Sequence, residues 1–414
     1  MAAKHFNELA LKSKLKRIDF QMICVLGMLT VGLLFYLGYA NWLLHDPVES
    51  RSMDFMCYYS VAQITRQQGI AQIYKIDLQN QAYQNVLGYY RGKNQNPLFL
   101  HPPYLVPILA SFTSNHYEVT YLIWMLCLLF IILTYLWLLT SLLPELPKPW
   151  PWLLAGSLFF RPVFISILQG QDSAFLLLGL SVFLWGMLNE RESMAGLGLS
   201  LLTLRPQMAL FFILPMFFWS RRAFWAYLSG CLFLVMVSIF MLGSQGTLDY
   251  IQILKISSGG EWFGMSETHM VNLLGLALRS FPTLDAKLVR TAAWWFFGLS
   301  MLGTGLFFAL SKMSFGKKFG LGILIFVLAS PHLHYHDLSL LVIPTTIWLR
   351  ELGRERPESL KTASLVMVSI NMLMLFTFML FSIYIIPYFL VCLLTYALLR
   401  QPNFSIITQK QAFS

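Results

Sequence analysis

The decisive stretch of the sequence reads Met53-Asp54-Phe55-Met56-Cys57-Tyr58-Tyr59, and it follows the first long apolar segment, residues 21–44. A segment of that length without charge is typical of a membrane-spanning helix, and the polar residues after it mark the point where the chain leaves the lipid. An acidic residue among aromatic residues at this exit is a candidate for chemistry. Its role depends on which side of the membrane it faces and on which other groups face the same way.

The composition places the whole chain in the class of polytopic membrane proteins. Of its 414 residues, 57% are hydrophobic and only 12% are charged, whereas soluble domains carry about 25% charged residues. The net charge of +10 comes from basic residues between the apolar runs, where they set orientation and do not indicate nucleic-acid binding. We therefore expect one all-α membrane domain, residues 1–414, without a separate soluble domain.

The charges also predict an orientation. Basic residues before residue 21 place the N-terminus in the cytoplasm, so the loop 45–101 lies outside. Amphipathic segments near 58–68 and 77–90 suit helices that lie on the membrane surface. The apolar piece 103–112 is too short to cross and is interpreted as a re-entrant helix.

Further apolar segments bring the expected number of membrane crossings to about twelve. The short basic loops then fall on the cytoplasmic side with both termini, and the loops rich in His, Gln, Asp and Pro fall outside. These outer loops include a second long one, residues 244–272. The expected crossings after the first are 117–143, 150–168, 173–189, 194–204, 207–219, 223–243, 288–311, 319–329, 338–349, 362–384 and 386–400.

Four outer loops supply the candidate site residues. These are Asp54 with Tyr58, then His101, then Gln171-Asp172 together with Arg205, and finally His332, His334, His336 and Asp337. Ionisable residues at membrane depth are costly and indicate function. For Asp54 two interpretations stay open, because aspartate is also a favoured helix cap.

Arg205 precedes a proline that breaks an apolar hairpin, and an arginine there needs an anionic partner from the protein or from a ligand. We favour a ligand. The histidines at spacing two resemble a metal site, but no glutamate lies at ligand spacing. We therefore expect no metal, and phosphate contacts, sugar contacts or capping of the next helix remain open for these histidines.

One carboxylate suffices for the transfer of a sugar from a polyprenyl phosphate. The leaving group departs as a stable anion, so the carboxylate needs only to take the proton of the acceptor hydroxyl while Arg and His hold the phosphate. A glycosidase would need a marked carboxyl pair. Nothing marks a second carboxylate among the possible ones, which are Asp172, Glu261, Glu267 and Asp337.

The sequence resembles the multispanning GT-C glycosyltransferases, in particular glycosyltransferase family 87, the polyprenyl-phosphate-mannose-dependent α-mannosyltransferase-like proteins. The order and spacing of several short motifs carry this resemblance over most of the chain. The motifs are Asp54-Phe55, Tyr58-Tyr59, Phe99-Leu100-His101-Pro102-Pro103, Gly170-Gln171-Asp172-Ser173, Ala195-Gly196-Leu197, Leu204-Arg205-Pro206, Val271-Asn272-Leu273-Leu274-Gly275, Ser330-Pro331-His332 and Tyr335-His336-Asp337.

The resemblance implies a first-loop aspartate as general base, which falls on Asp54, and an inverting, metal-independent transfer on the extracytoplasmic face. It places the donor phosphate at Arg205 and at His336 or His332. Two positions depart from the family pattern. Arg205 stands where lysine is frequent, which keeps the charge but changes its geometry, and His101 stands where an aromatic residue is common, which leaves its role open.

We therefore expect a transferase in the cell inner (plasma) membrane that moves a hexose, mannose, from a polyprenyl-phosphate-linked donor to a lipid or glycan acceptor. Membrane lipids are its surroundings, and no cofactor beyond the donor substrate is expected. The residues expected to bind the donor phosphate or sugar are Arg205, His336, His332, His101, Gln171 and Tyr58. Alternatives are a transporter or flippase of a lipid-linked sugar, which would place ionisable groups at the midplane and show an internal repeat, and a catalytically silent assembly partner.

Overall fold

The computed structural model describes residues 20–46, 54–89, 96–257, 267–376 and 386–400, and the regular structure in these ranges is helical. Short 3₁₀ segments lie at Ile70–Gln72, Pro103–Leu105, Ser200–Leu204, Glu267–His269 and Tyr335–Leu341. The α-helices are α1 Phe20–His45, α2 Phe55–Gln68, α3 Ile76–Leu87, α4 Val106–Phe112, α5 Tyr117–Thr140, α6 Pro149–Leu158, α7 Arg161–Leu168, α8 Ser173–Leu188, α9 Glu192–Leu199, α10 Pro206–Trp219, α11 Arg221–Ser257, α12 Leu273–Ser280, α13 Ala286–Leu310, α14 Phe315–Ala329, α15 Val342–Glu355, α16 Pro357–Phe376 and α17 Ile386–Arg400.

Five helices in the described ranges are long and apolar enough to cross a membrane, namely α1, α5, α11, α13 and α16. The chain is thus an all-helical membrane protein in the part that the structure describes. The bent pair α6 and α7 raises the number to six if it counts as one span. The predicted twelve crossings are not confirmed. The basic residues before residue 20, on which the predicted orientation depends, lie outside the described residues.

The predicted crossing 150–168 is not one continuous helix, because α6 and α7 meet at an angle of 69°. The backbone turns at Phe160, which is extended with φ −68° and ψ 107°, and Pro162 favours this break because it cannot donate the backbone hydrogen bond that would continue α6. The bend brings α7 against the 3₁₀ segment Tyr335–Leu341. α7 ends at Leu168, and the next residues, Gln169–Asp172, form the loop that lies at the site.

The first predicted surface helix is present as α2, but its surroundings differ from those expected. Nine of its 14 residues are buried. Phe55 packs on the rings of Tyr121 and Trp124 in α5, and Tyr59 packs on Tyr117. α2 therefore belongs to the protein core, because its aromatic residues find partners on α5, and Asp54 is fixed at its first turn.

The predicted break at Arg205-Pro206 is confirmed. Arg205 has φ −124° and ψ 89°, which ends the 3₁₀ segment, and Pro206 occupies the first turn of α10, where its missing N–H costs nothing. Residues 244–257, predicted as part of an outer loop, are helical and continue α11 beyond a kink at Gly243. The remaining part of that loop lies partly outside the described residues.

Candidate functional site

The predicted site residues line one cavity that is open to solvent and has a volume of about 670 Å³. Pockets for small ligands usually measure roughly 300–1000 Å³, so this cavity has the size of a ligand site. All seven predicted site residues lie in its wall: Asp54, Tyr58, His101, Gln171, Arg205, His332 and His336. The structure thus brings together residues that are separated by up to 282 positions in the sequence, from Asp54 to His336.

Asp54 occupies the position before α2, but its side chain makes no capping hydrogen bond within the described structure. Its carboxylate is instead bound by Gln171, whose Nε2 donates to Asp54 Oδ2 over 2.6 Å. Gln171 is buried and Asp54 is partly exposed to the cavity. A carboxylate that is oriented from one side and open on the other has the geometry of a general base.

The loop that carries Gln171 is held by aromatic residues of α5. The indole of Trp124 donates to the carbonyl of Gly170 over 2.8 Å, and the hydroxyl of Tyr121 donates to the carbonyl of Leu168 over 2.6 Å. Gly170 has φ +67°, and a Cβ there would lie 2.8 Å from Cβ of Phe55. The glycine is therefore needed both for the backbone conformation and for the close approach of Gln171 to Asp54.

A buried ion cluster joins Arg205 of the cavity wall to two aspartates that do not line the cavity. Arg205 Nη2 lies 3.0 Å from Oδ1 of Asp172 and 3.6 Å from Oδ1 of Asp337, and Asp172 is wholly buried. The expectation that a ligand supplies the anionic partner of Arg205 is therefore wrong, because two aspartates of the protein supply it. The planar fork of arginine presents donors to several partners in a fixed geometry, which a lysine ammonium does not.

The cluster shifts the ionisation of its members. Burial alone would raise the pKa of Asp172, but Arg205 and His101 outweigh it and hold this pKa well below its usual range. Burial would lower the pKa of Arg205, and Asp172 and Asp337 outweigh it and raise this pKa. Both groups therefore stay charged at neutral pH.

His101 is bound through both ring nitrogens. Tyr58 Oη lies 3.0 Å from Nε2, while Asp172 Oδ2 lies 2.7 Å and Arg205 Nη1 lies 2.6 Å from Nδ1. The hydroxyl of Tyr74 donates to the His101 carbonyl over 2.6 Å and fixes the backbone. The pKa of His101 is lowered, chiefly by burial.

The late histidines form an aromatic row at the cavity wall. The ring centroids of His332 and His334 lie 4.8 Å apart, and those of His334 and His336 lie 5.9 Å apart. Burial, followed by the neighbouring histidines, lowers the pKa of His332 to about 3 and that of His334 to about 4. These two rings are neutral at pH 7 and offer N–H groups to a ligand without positive charge.

The alternative that a histidine caps the next helical segment is supported for His334, which forms a capping box with Asp337 at the start of Tyr335–Leu341. Asp337 Oδ2 accepts a hydrogen bond of 3.1 Å from the backbone N–H of His334, at the start of the 3₁₀ segment. His336 Nε2 lies 3.5 Å from Asp337 Oδ1. In the described part of the chain, no group of three His, Cys, Asp or Glu residues has the arrangement of a metal site.

The motif Val271–Gly275 holds the histidine row in place. Asn272 is wholly buried, and its Nδ2 donates to the carbonyl of Ser330 over 2.7 Å while its Oδ1 accepts from Gly275 N over 2.8 Å. Val271 N donates to the carbonyl of Leu333 over 3.1 Å. The motif therefore holds site residues in position, but none of its own five residues lines the cavity.

The far wall of the cavity contains a pair that the sequence did not indicate. Arg290 binds Glu267 through two hydrogen bonds, Nε to Oε1 at 2.6 Å and Nη2 to Oε2 at 3.0 Å. Trp294, one turn after Arg290 on α13, also lines the cavity and is half exposed. Only the pairing in space marks these residues, because tryptophans and arginines are frequent in the chain and Glu267 is 23 positions from Arg290.

Comparison with known families gives one match. The model of glycosyltransferase family 87 matches residues 99–331, which is more than half of the chain. The matched region contains His101, Gln171 and Arg205, while Asp54 precedes it and the histidine row follows it. No curated protein and no solved structure matches the chain.

Proposed function

The chain belongs to glycosyltransferase family 87, and on this premise we propose that it transfers a hexose, mannose, from a polyprenyl-phosphate donor to a lipid or glycan acceptor. The transfer takes place on the extracytoplasmic face of the inner membrane and inverts the anomeric centre. The observation that carries this proposal is the shared cavity: a carboxylate oriented by Gln171 faces the same space as Arg205 and the histidine row.

The proposed reaction is a single displacement. The hydroxyl oxygen of the acceptor attacks the anomeric carbon, and Asp54 takes the hydroxyl proton as the new bond forms. The bond between the anomeric carbon and the phosphate oxygen breaks, and its electron pair leaves with polyprenyl phosphate. Attack from the side opposite to the leaving group inverts the configuration.

The phosphate is expected at Arg205 and the histidine row, where charge develops as the bond breaks. Arg205 is already paired with Asp172 and Asp337, so its charge is balanced before the donor arrives. The N–H groups of the neutral His332 and of His336 therefore supply much of the hydrogen bonding to the phosphate, and Arg205 supplies the nearest positive charge. Tyr58 and Gln171 lie near enough to Asp54 to meet the sugar.

The far wall suits the acceptor. A carboxylate bound to a guanidinium carries little net charge, and the half-exposed indole of Trp294 offers a flat apolar surface beside it. Polar groups that fix orientation beside an aromatic surface are the usual lining of a ligand pocket. This combination favours a neutral headgroup rich in hydroxyl groups.

Transfer from a defined donor tests the proposal. The purified protein in sealed lipid vesicles would receive radiolabelled mannosyl-phosphoryl-polyprenol on one side, together with a membrane lipid extract as the source of acceptor. We expect a new labelled product and free polyprenyl phosphate. Label that crosses the bilayer with its phosphate bond intact would instead support the transporter, and intact donor on its original side would support the silent partner.

A further inference from the structure

His101 has more partners at one ring nitrogen than that nitrogen can serve. Nδ1 lies 2.7 Å from Asp172 Oδ2 and 2.6 Å from Arg205 Nη1. In a neutral imidazole each nitrogen carries either a proton or a lone pair. With a lone pair, Nδ1 accepts from Arg205 but repels the carboxylate oxygen. With a proton, it donates to Asp172 but meets a guanidinium N–H.

Protonation of both nitrogens does not remove this conflict. An imidazolium would still direct its Nδ1 proton against Arg205 Nη1, and it would add a positive charge beside the guanidinium. Burial of the ring also lowers the pKa of His101. The conflict is therefore one between two neutral tautomers.

Of the two partners of His101 Nδ1, Arg205 is the one that can move away from the ring. Asp172 is wholly buried at the start of α8, while the Arg205 side chain lines the cavity. Its other terminal nitrogen, Nη2, is bound to Asp172 Oδ1 at 3.0 Å. A rotation of the guanidinium about this contact would move Nη1 away from the ring and would lose its 3.4 Å hydrogen bond to Asp172 Oδ2, while the contact of Nη2 is kept.

The other ring nitrogen of His101, Nε2, links the tautomer of the ring to Tyr58. This residue lies one helical turn after Asp54 and its hydroxyl lies 3.0 Å from His101 Nε2. When Nδ1 bears the proton, Nε2 accepts from the phenol. When Nδ1 bears the lone pair, the Nε2 proton is donated to the phenol oxygen, and the phenol proton is available to the cavity.

We propose that His101 is a positioning residue whose tautomer couples an anion at Arg205 to the hydrogen bond of Tyr58. A phosphate that draws Arg205 Nη1 away from the ring lets Nδ1 donate to Asp172 and lets Nε2 accept from Tyr58. The ring stays neutral, because one proton leaves Nε2 and one reaches Nδ1 through water of the open cavity. The proposal rests on the proposed function only for the identity of the anion as the donor phosphate.

Two substitutions with side chains of similar polarity test the roles of the two ring nitrogens separately. The amide of His101→Asn reaches the position of Nδ1 and can present either its oxygen or its NH₂ group there, whereas the amide of His101→Gln reaches the position of Nε2. The probe is citronellyl phosphate, with citronellol as the uncharged control, and binding is measured to the protein in nanodiscs. We expect His101→Asn to bind the phosphate within about threefold of the parent and His101→Gln to bind it about tenfold more weakly, as for the loss of one hydrogen bond to a charged group.

Equal affinity of all three proteins would overturn the proposal, and so would a reversed order of the two variants. Retained size-exclusion profiles and thermal midpoints exclude misfolding as the cause. Citronellol binding should not separate the variants.

A direct measurement of the tautomer completes the test. In protein labelled with ¹⁵N-histidine, the resonances missing from His101→Asn belong to His101. Saturating citronellyl phosphate should move the proton of this ring from Nε2 to Nδ1, and an unchanged tautomer refutes the coupling. If the parent protein transfers sugar but the tautomer does not change, the coupling is refuted and the proposed function holds. If the tautomer changes in a protein that transfers no sugar, the coupling holds and the proposed function is refuted.

Discussion

Gln171 donates a hydrogen bond of 2.6 Å to the carboxylate of Asp54 across 117 positions of the sequence. The two residues belong to different loops, and the contact exists because Gly170 lies directly against Phe55. Asp54 is thereby oriented from the protein side while its other face meets the cavity. Several measurable consequences depend on this contact and on the ion cluster around Arg205.

Replacing Gln171 by leucine should lower the transfer rate. Leucine keeps the bulk of the side chain but removes the N–H group that orients Asp54, and a misplaced catalytic group can cost about 10²-fold. We expect kcat to fall about ten- to hundredfold with a smaller change in the KM of the donor. Tyr59→Phe is the control, because the Tyr59 hydroxyl donates to the carbonyl of Ser114 and not to a site residue. A rise in donor KM with unchanged kcat would show that Gln171 binds the donor and does not position Asp54.

Replacing Gly170 by alanine should impair both folding and transfer. The added Cβ would lie 2.8 Å from Cβ of Phe55, and φ at this position is +67°, so the loop and α2 must separate. We expect a lower thermal midpoint and a reduced kcat. Gly298→Ala is the matched control, because a Cβ at this glycine of α13 meets nothing within 4 Å. Equal midpoints for the two variants would contradict the described packing.

Replacing Asp172 by asparagine should destabilise the protein strongly. Removal of one partner from a buried ion pair typically costs about 3–5 kcal/mol, and Asp337, which lies 3.6 Å from Arg205, still compensates part of the arginine charge here. The free energy of unfolding in detergent measures this loss. The triple variant Asp172→Asn with Arg205→Gln and Asp337→Asn removes the charges of all three partners and should recover part of the stability, although it lacks the positive charge for the donor. Further loss in the triple variant would show that these residues stabilise the fold independently.

The stability of the protein should fall as the pH is lowered from about 6.5 towards 4. The folded-state pKa values of His332 and His334 lie at about 3 and about 4, below the ordinary value of 6.5. Between these values the unfolded chain binds protons that the folded protein does not, which favours unfolding. Thermal midpoints measured across this range should fall less steeply for His332→Gln and for His334→Gln than for the parent protein. Parallel curves for the parent and both variants would contradict the burial of these two rings in their neutral form.

The sequence predicted the all-helical class of fold and selected residues that line one cavity, but it did not predict how the short helices are arranged. Hydropathy measures one segment at a time, so an apolar helix covered by other helices cannot be told from one that faces lipid. For this reason 150–168 was expected as one crossing although a bend divides it, and α2 was expected at the surface although α5 covers it. The break at Arg205 was predictable because proline acts locally.

Partners across the site were harder to predict than its members. Asp172 and Asp337 were both visible as outer acidic residues, but only their positions in space show that they neutralise Arg205. The same holds for Glu267 and Arg290 on the far wall. Charge and spacing select candidates, whereas pairing depends on how the helices pack.

The role of Asp54 as general base is the central claim, and the transfer rate of Asp54→Asn tests it most directly. Asparagine keeps the size of the side chain and can still accept from Gln171, but it cannot take a proton from the acceptor hydroxyl. With labelled mannosyl-phosphoryl-polyprenol in nanodiscs, we expect the rate to fall by about 10²–10⁴-fold, while binding of citronellyl phosphate is retained. A folded Asp54→Asn protein that transfers sugar as fast as the parent would contradict the account.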